Sequence, residues 1–302
     1  MVGLFLTLLL FSPVAALPQR SHPDDQPSNL VYGGRLLHRP IPTLVVLTRE
    51  DLPREVNGFF CGGSILNNRY VLTAAHCAAV MIGDVNSTIY AGVSSLRQMD
   101  GGDGIQSVAV KSVKMHPEFD NQTYANDIAV VELDGQLTFT KTVQPTRIFK
   151  NDAFAEEPAG QRVYIAGFGY ATPYYSTPMP DNHDLHYAIT PLVDRETCRK
   201  AWIPFETPIT DKQICTSSKR VGLNHVSCGM FLLHLTARNQ GDSGSPIFYY
   251  EKNRSIRSSA LRQIGIVANG EVGNQDVPDY SIRTAAYCDW IEEQTDRLWS
   301  CL

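Results

Sequence analysis

The chain carries no excess of positive charge. Its 26 lysines and arginines stand against 31 aspartates and glutamates, a formal charge of −5, and the basic residues are scattered along 302 positions. Binding to nucleic acid needs a basic stripe that neutralises phosphates, so that class of partner is set aside. Beyond the first residues no apolar run approaches the roughly 20 residues that cross a bilayer, and no membrane helix is expected. Neither His-Glu-x-x-His nor Cys-x-x-Cys occurs, so the common zinc spacings are missing. Helical periodicity is confined to Ala285 to Leu298, with Trp290, Ile291 and Leu298 as apolar positions, and no internal repeat points to a solenoid. Disordered or fibrous character is absent as well, since 43% of the residues are hydrophobic, enough for one large core or two modest ones.

What is present begins with an apolar run from Leu4 to Phe11, followed by Pro13 and the small-residue site Val14-Ala15-Ala16. This is the pattern of a cleaved secretion signal over 1–16, although no Lys or Arg precedes the run. Residues 17–30 are polar, contain Pro18, Pro23 and Pro27, and read as an unstructured leader. Export to the extracellular space is therefore expected, and it places the seven cysteines in an oxidising compartment where pairing is their expected fate. Sequons at Asn86, Asn121 and Asn253 agree with a glycosylated surface.

Short apolar runs then alternate with Gly, Asn, Asp and Pro clusters: Pro42 to Leu47, Tyr70 to Thr73, Val108 to Val113, Ile128 to Leu133, Val163 to Ala166 and Gln263 to Val267. That spacing predicts an all-β barrel or sandwich, and the length suits two barrels of roughly 110 to 120 residues each.

Three stretches carry chemistry. In Gln240-Gly241-Asp242-Ser243-Gly244-Ser245-Pro246, a serine between glycines suits an exposed nucleophile on a tight turn whose N–H groups can bind an anion. In Thr73-Ala74-Ala75-His76-Cys77, neutral imidazole can accept a hydroxyl proton near neutral pH. In Asn126-Asp127-Ile128-Ala129, a carboxylate at the start of an apolar strand can hold that imidazole in one tautomer. Weaker signals are Asp100-Gly101-Gly102-Asp103, read as a solvated turn, His116-Pro117, read as a structural turn, and His183-x-x-His186 in a polar loop. None asks for a metal or other cofactor.

The order His76, Asp127, Ser243, with the surrounding words, resembles the chymotrypsin-like serine proteases from about Val31 to Ile291. The resemblance implies two six-stranded antiparallel β-barrels with the active site in the cleft between them and a C-terminal helix. It divides the chain into a domain over 31–302, with barrels at about 31–150 and 151–284 and a helix at about 285–298. It implies Ser243 as nucleophile, His76 as general base, Asp127 as orienting carboxylate, and the N–H groups of Gly241 and Ser243 as oxyanion hole. Val31 would be a new amino terminus that pairs with Asp242 after a leader is removed, so the chain is expected to be a zymogen. Leu30 precedes that bond, so the activating protease is not expected to be trypsin-like. The resemblance further pairs Cys61 with Cys77 and Cys198 with Cys215. Cys228, Cys288 and Cys301 stay unassigned; thirteen helical steps would hold Cys288 and Cys301 about 20 Å apart unless the chain folds back.

Some positions depart from the family pattern. Asn239 stands where the family has Cys, whereas joining Cys228 directly to Gln240 restores the family's word, which makes Gly229 to Asn239 an insertion. An apolar run there has no evident place to be buried, pointing to a retained intron or other gene-model error, with a real loop over the pocket as the alternative. The pocket floor is then Val226, beside Ser227, or Ala237 as written. Ala268, Asn269 and Gly270 fall on the strand that pairs with substrate, with Ala-Asn replacing Ser-Trp. Val272 is nearest to a missing Cys, and Ser245 replaces a Gly. Asp279 falls at a pocket-wall position that is usually Gly, where it either attracts a basic side chain or serves as a solvated turn residue. The expected function is a secreted, monomeric serine endopeptidase acting on proteins or peptides; the alternative is a non-catalytic binding or inhibitor module of the same fold.

Overall fold

The computed structural model describes residues 35–52, 58–83, 86–151, 159–169, 183–217, 242–250, 255–270 and 276–302. Its strands, in chain order, are β1 (Arg35–Leu36), β2 (Leu44–Arg49), β3 (Phe59–Ile65), β4 (Tyr70–Thr73), β5 (Ser87–Ala91), β6 (Gln106–Met115), β7 (Ala129–Leu133), β8 (Arg147–Ile148), β9 (Arg162–Gly167), β10 (His186–Val193), β11 (Gln213–Thr216), β12 (Pro246–Tyr249), β13 (Arg262–Asn269) and β14 (Asp279–Arg283). The helices are α1 (Ala75–Ala79), α2 (Arg195–Trp202) and α3 (Cys288–Gln294). Strands β2-β3-β4-β7-β6-β5 close one antiparallel barrel, and β9-β10-β11-β14-β13-β12 close a second through the pairing of β12 with β9. Closure leaves neither barrel with a free edge in its ring.

The period-two alternation of strands explains how both barrels are filled and also joined. On β2, Val45 and Leu47 pack inside the first barrel, while Leu44 and Val46 face the seam. On the other side, Val163, Ile165 and Ile247 fill the second barrel, and Tyr164, Ala166 and Phe248 face Leu44 and Val46 across that seam. Strands buried on two faces need apolar residues at consecutive positions, which is why these segments read as unbroken apolar runs. Each large side chain so buried contributes about 1.5–3 kcal/mol.

Two short strands cross the expected division of the chain. Arg35 and Leu36 pair with Tyr187 and His186 of β10, and Arg147 and Ile148 lie parallel to Arg262 and Gln263 of β13. Segments at either end of the first barrel are thus hydrogen-bonded to the second.

The C-terminal helix is shorter than its periodicity predicts. A 3-10 turn over Thr284–Tyr287 leads into α3, and the helix stops where Asp296 and Arg297 adopt left-handed backbone, φ 52° and 58°. The Thr295 hydroxyl donates back to the Ile291 carbonyl, and the chain reverses. That reversal brings Cys301 to Cys288, and the two are disulfide-bonded. The other bonds are Cys61–Cys77 and Cys198–Cys215.

Candidate active site

His76 sits on α1, directly after β4, and Asp127 lies in the turn that enters β7. The carboxylate is fully buried and holds His76 twice: Oδ1 accepts the His76 backbone N–H at 2.8 Å, and Oδ2 lies 2.7 Å from Nδ1. A carboxylate oxygen accepts, so Nδ1 carries the proton and the Nε2 lone pair is left to take one. Nε2 lies 3.5 Å from Cys77 Sγ, a disulfide sulfur with no proton to give. The Tyr124 ring meets the imidazole edge-on, centroids 5.4 Å apart, and restricts its rotation.

Ser243 is buried on the turn Asp242–Ser245 that enters β12. This turn is hydrogen-bonded to both barrels. Gly62 N–H of β3 donates to the Ser243 carbonyl at 2.8 Å, Gly244 N–H donates to the Val267 carbonyl at 2.9 Å, and Val267 N–H returns a bond to Ser245. Gly244 has φ +79°, and a Cβ there would stand 2.4 Å from both the Gly62 carbonyl and Thr73 Oγ1, and 3.3 Å from Cys77 Sγ. Only glycine fits, because the backbone passes this close beside the residues that flank His76. Ser245 is accommodated in turn by Gly62, where a Cβ would lie 2.0 Å from the Ser245 hydroxyl oxygen.

Asp242 is half-buried, and its Oδ1 accepts the Gly169 N–H at 2.9 Å. Burial pushes its carboxyl above the usual carboxylate range, with the Gly169 hydrogen bond opposing. Gly167 and Gly169 make room for it, since a Cβ on either would come within 2.1 and 2.9 Å of Oδ1.

Asp279 opens β14 opposite Thr216 and is buried, not the solvated turn residue that Pro278 suggests. Burial holds its carboxyl well above the ordinary value. A Cβ on Gly270 would lie 1.9 Å from Asp279 Oδ1, so the structure brings these two proposed pocket residues together. The register between β13 and β14 shifts between Val267 and Asn269, leaving Ala268 as the extra residue of a bulge. Bulges re-aim side chains beside functional sites. Asn269 turns its amide to the Tyr280 hydroxyl at 3.1 Å, and that hydroxyl donates to the Thr123 carbonyl in the first barrel at 3.1 Å. Trp202 of α2 stacks edge-on against Tyr280 at 4.8 Å, and its indole N–H donates to the Pro278 carbonyl. Tyr280 and Trp202 are therefore packed behind Asn269, which stands where the family pattern has a tryptophan on β13. Sequence reading missed both, the replacement of that tryptophan by Asn269 being the available signal.

Val31, Val226, Ser227, Cys228, Gly241 and the segment Gly229 to Asn239 lie outside the described residues. Cys61, His76 and Cys77 place one possible ligand atom each within 4.8 Å, yet the two sulfurs are bonded to one another and offer no thiolate.

Paired six-stranded barrels, a His–Asp pair on one and a Gly-Asp-Ser-Gly turn on the other define the chymotrypsin-like class of serine protease folds. The trypsin family profile matches residues 37–291, and the chain belongs to that family. It is 30% identical to trypsin 5G1 of Aedes aegypti over 251 residues, 81% of this chain and 80% of that protein. It is also 30% identical to alkaline trypsin A of Manduca sexta over 299 residues, 97% of this chain and 99% of the other. A proclotting enzyme of Tachypleus tridentatus is 29% identical over 240 residues, 77% of this chain and 58% of that enzyme. Among the described residues, no helix is long and apolar enough to cross a membrane.

Proposed function

We propose that the chain is a secreted serine endopeptidase, made as a zymogen with a signal over 1–16, a propeptide over 17–30 and a peptidase domain over 31–302. The carrying observation is the double bond of Asp127 to His76 beside a Ser243 turn that is itself hydrogen-bonded to the His76-bearing barrel. In this reading Ser243 Oγ attacks the scissile carbonyl while its proton passes to His76 Nε2. The imidazolium gives that proton to the leaving amine, and water releases the acyl group by the same route in reverse. The N–H groups of Gly241 and Ser243 receive the developing oxyanion, at about 10²- to 10³-fold in rate per donor.

Asp242 supports the zymogen assignment. Burial raises its carboxyl, a carboxylate so placed gains from a cation, and an ammonium at Val31 would provide one once the bond after Leu30 is cut. Asp279 supports acceptance of a basic substrate side chain at the pocket wall, with Gly270, just past the end of β13, close to its carboxylate. The relatives' names, two trypsins and a proclotting enzyme, agree with proteins as substrates.

The replacement of the substrate strand's Ser-Trp by Ala268-Asn269, with Asn269 bonded to Tyr280, favours a second reading, a binding module without turnover. A fluorophosphonate probe applied to the chain cleaved after Leu30 separates the two. Labelling that disappears in Ser243→Ala is expected; an unlabelled but folded processed chain overturns the protease reading.

A further inference from the structure

We propose that Asn126 is a positioning residue for Asp127, through which the second barrel and the C-terminal segment orient a carboxylate carried by the first barrel. The proposal rests on the triad reading above. Asn126 has left-handed backbone, φ 54°, a conformation asparagine tolerates better than most residues and which its surroundings fix in place. Three segments do so. Lys212 Nζ, just before β11, donates to Asn126 Oδ1 at 2.9 Å, and the Tyr287 hydroxyl, just before α3, donates to the same oxygen at 3.0 Å. Asn126 Nδ2 donates to the Glu118 carbonyl at 3.0 Å.

The amide orientation follows from chemistry. An ammonium only donates and a carbonyl only accepts, so Oδ1 must face Lys212 and Nδ2 must face Glu118. Both lone pairs of Oδ1 are used. The backbone completes the clamp, because the Asn126 carbonyl accepts the Ile128 N–H at 2.8 Å and folds residue 127 into a three-residue turn. The clamp is also braced from outside: Lys212 Nζ lies 5.5 Å over the Tyr287 ring, whose edge contacts the His116 ring at 5.5 Å. Tyr287 is buried, and burial first, then the charge of Asp127, raises its hydroxyl, which keeps it a donor. Among the described residues, the hydrogen bonds of the clamp do not include His76. Its influence runs through the carboxylate, whose two oxygens set the ring position and tautomer.

Asn126→Gly is the informative variant, since glycine adopts the same backbone without strain while the clamp is lost. The expected result is a fall in kcat of about tenfold with KM unchanged, the scale of a small misplacement of a reacting group. The low-field resonance of the His76 Nδ1 proton, followed by NMR in a Ser243→Ala background, should move upfield as the hydrogen bond to Asp127 lengthens. Asn126→Asp, which retains the Lys212 and Tyr287 bonds, should leave it near its wild-type position. Wild-type kcat together with a wild-type Nδ1 proton resonance in Asn126→Gly overturns the proposal. The NMR arm reads the His–Asp pair without turnover, so it separates this result from an unlabelled wild-type protein, which would instead remove the protease reading.

Discussion

The two barrels hold their carboxylates in opposite ways. On the first barrel, Asp127 receives two hydrogen bonds from a single residue, and its neighbour Asn126 is clamped from three sides. On the second, Asp242 accepts one backbone N–H, and burial lifts its carboxyl and that of Asp279 above the usual range. A carboxylate whose donors are already in place is pre-organised; one that burial pushes toward its neutral form favours an arriving cation. Under the proposed function, the first barrel would supply the finished His–Asp pair, and the second would supply two carboxylates to receive positive partners, an amino terminus at Asp242 and a substrate side chain at Asp279.

The strongest way to break this division of labour is to detach the serine turn from the first barrel. Gly244→Ala forces a Cβ onto the Gly62 carbonyl and Thr73 Oγ1 at 2.4 Å and strains a φ of +79°. A loss of about 3 kcal/mol or more in stability and of measurable probe labelling is expected, read by thermal unfolding and fluorophosphonate gel. Wild-type labelling in Gly244→Ala would show that the barrels do not share this turn.

A smaller effect tests the bracing of the first barrel's clamp. Replacing Cys288 and Cys301 by Ser opens a link across 13 residues and should cost about 2–4 kcal/mol in chemical denaturation. Since Tyr287 adjoins Cys288, kcat should fall in the same direction as in Asn126→Gly; an unchanged kcat would confine the bond's role to stability.

The smallest change sharpens the contrast between carboxylates. Asp279 has a folded pKa above its unfolded one, so the folded state binds the proton more tightly and stability falls as pH rises between the two values. Asp279→Asn removes that slope. Its unfolding free energy should exceed wild type at neutral pH by on the order of 1 kcal/mol, seen as a higher thermal midpoint, with the gain shrinking toward about pH 4. An equal gain at both pH values would contradict the assignment to burial.

Much of this architecture could be read from residue order. Tyr70 to Thr73 forms a strand at its expected bounds, because three apolar residues and a β-branched threonine directly after a turn leave little choice. The strand at Leu44–Arg49 runs two residues past its apolar stretch, since Thr48 and Arg49 continue the pairing with β5. Ser243 and His76 were legible through their small neighbours, which the close backbone approach requires. The Asn126 clamp was not, because Glu118, Lys212 and Tyr287 are distant in sequence and no local pattern joins them. The bond between Cys288 and Cys301 was equally hidden: helical spacing forbids it, and only the left-handed pair Asp296 and Arg297 reverses the chain.

The two-residue strand β1 bears on activation kinetics under the proposed zymogen reading. Arg35 and Leu36 are anchored on β10, whose other neighbour, β9, ends at Gly167 against the Asp242 carboxylate. Two strand spacings amount to about 10 Å, whereas the four residues Val31 to Gly34 reach up to about 14 Å. An ammonium freed at Val31 would therefore explore a small volume around its target, at a local concentration in the millimolar range or above. Under that proposed activation, such a leash would make the rate of bond cleavage, rather than the search that follows it, the step that times activation.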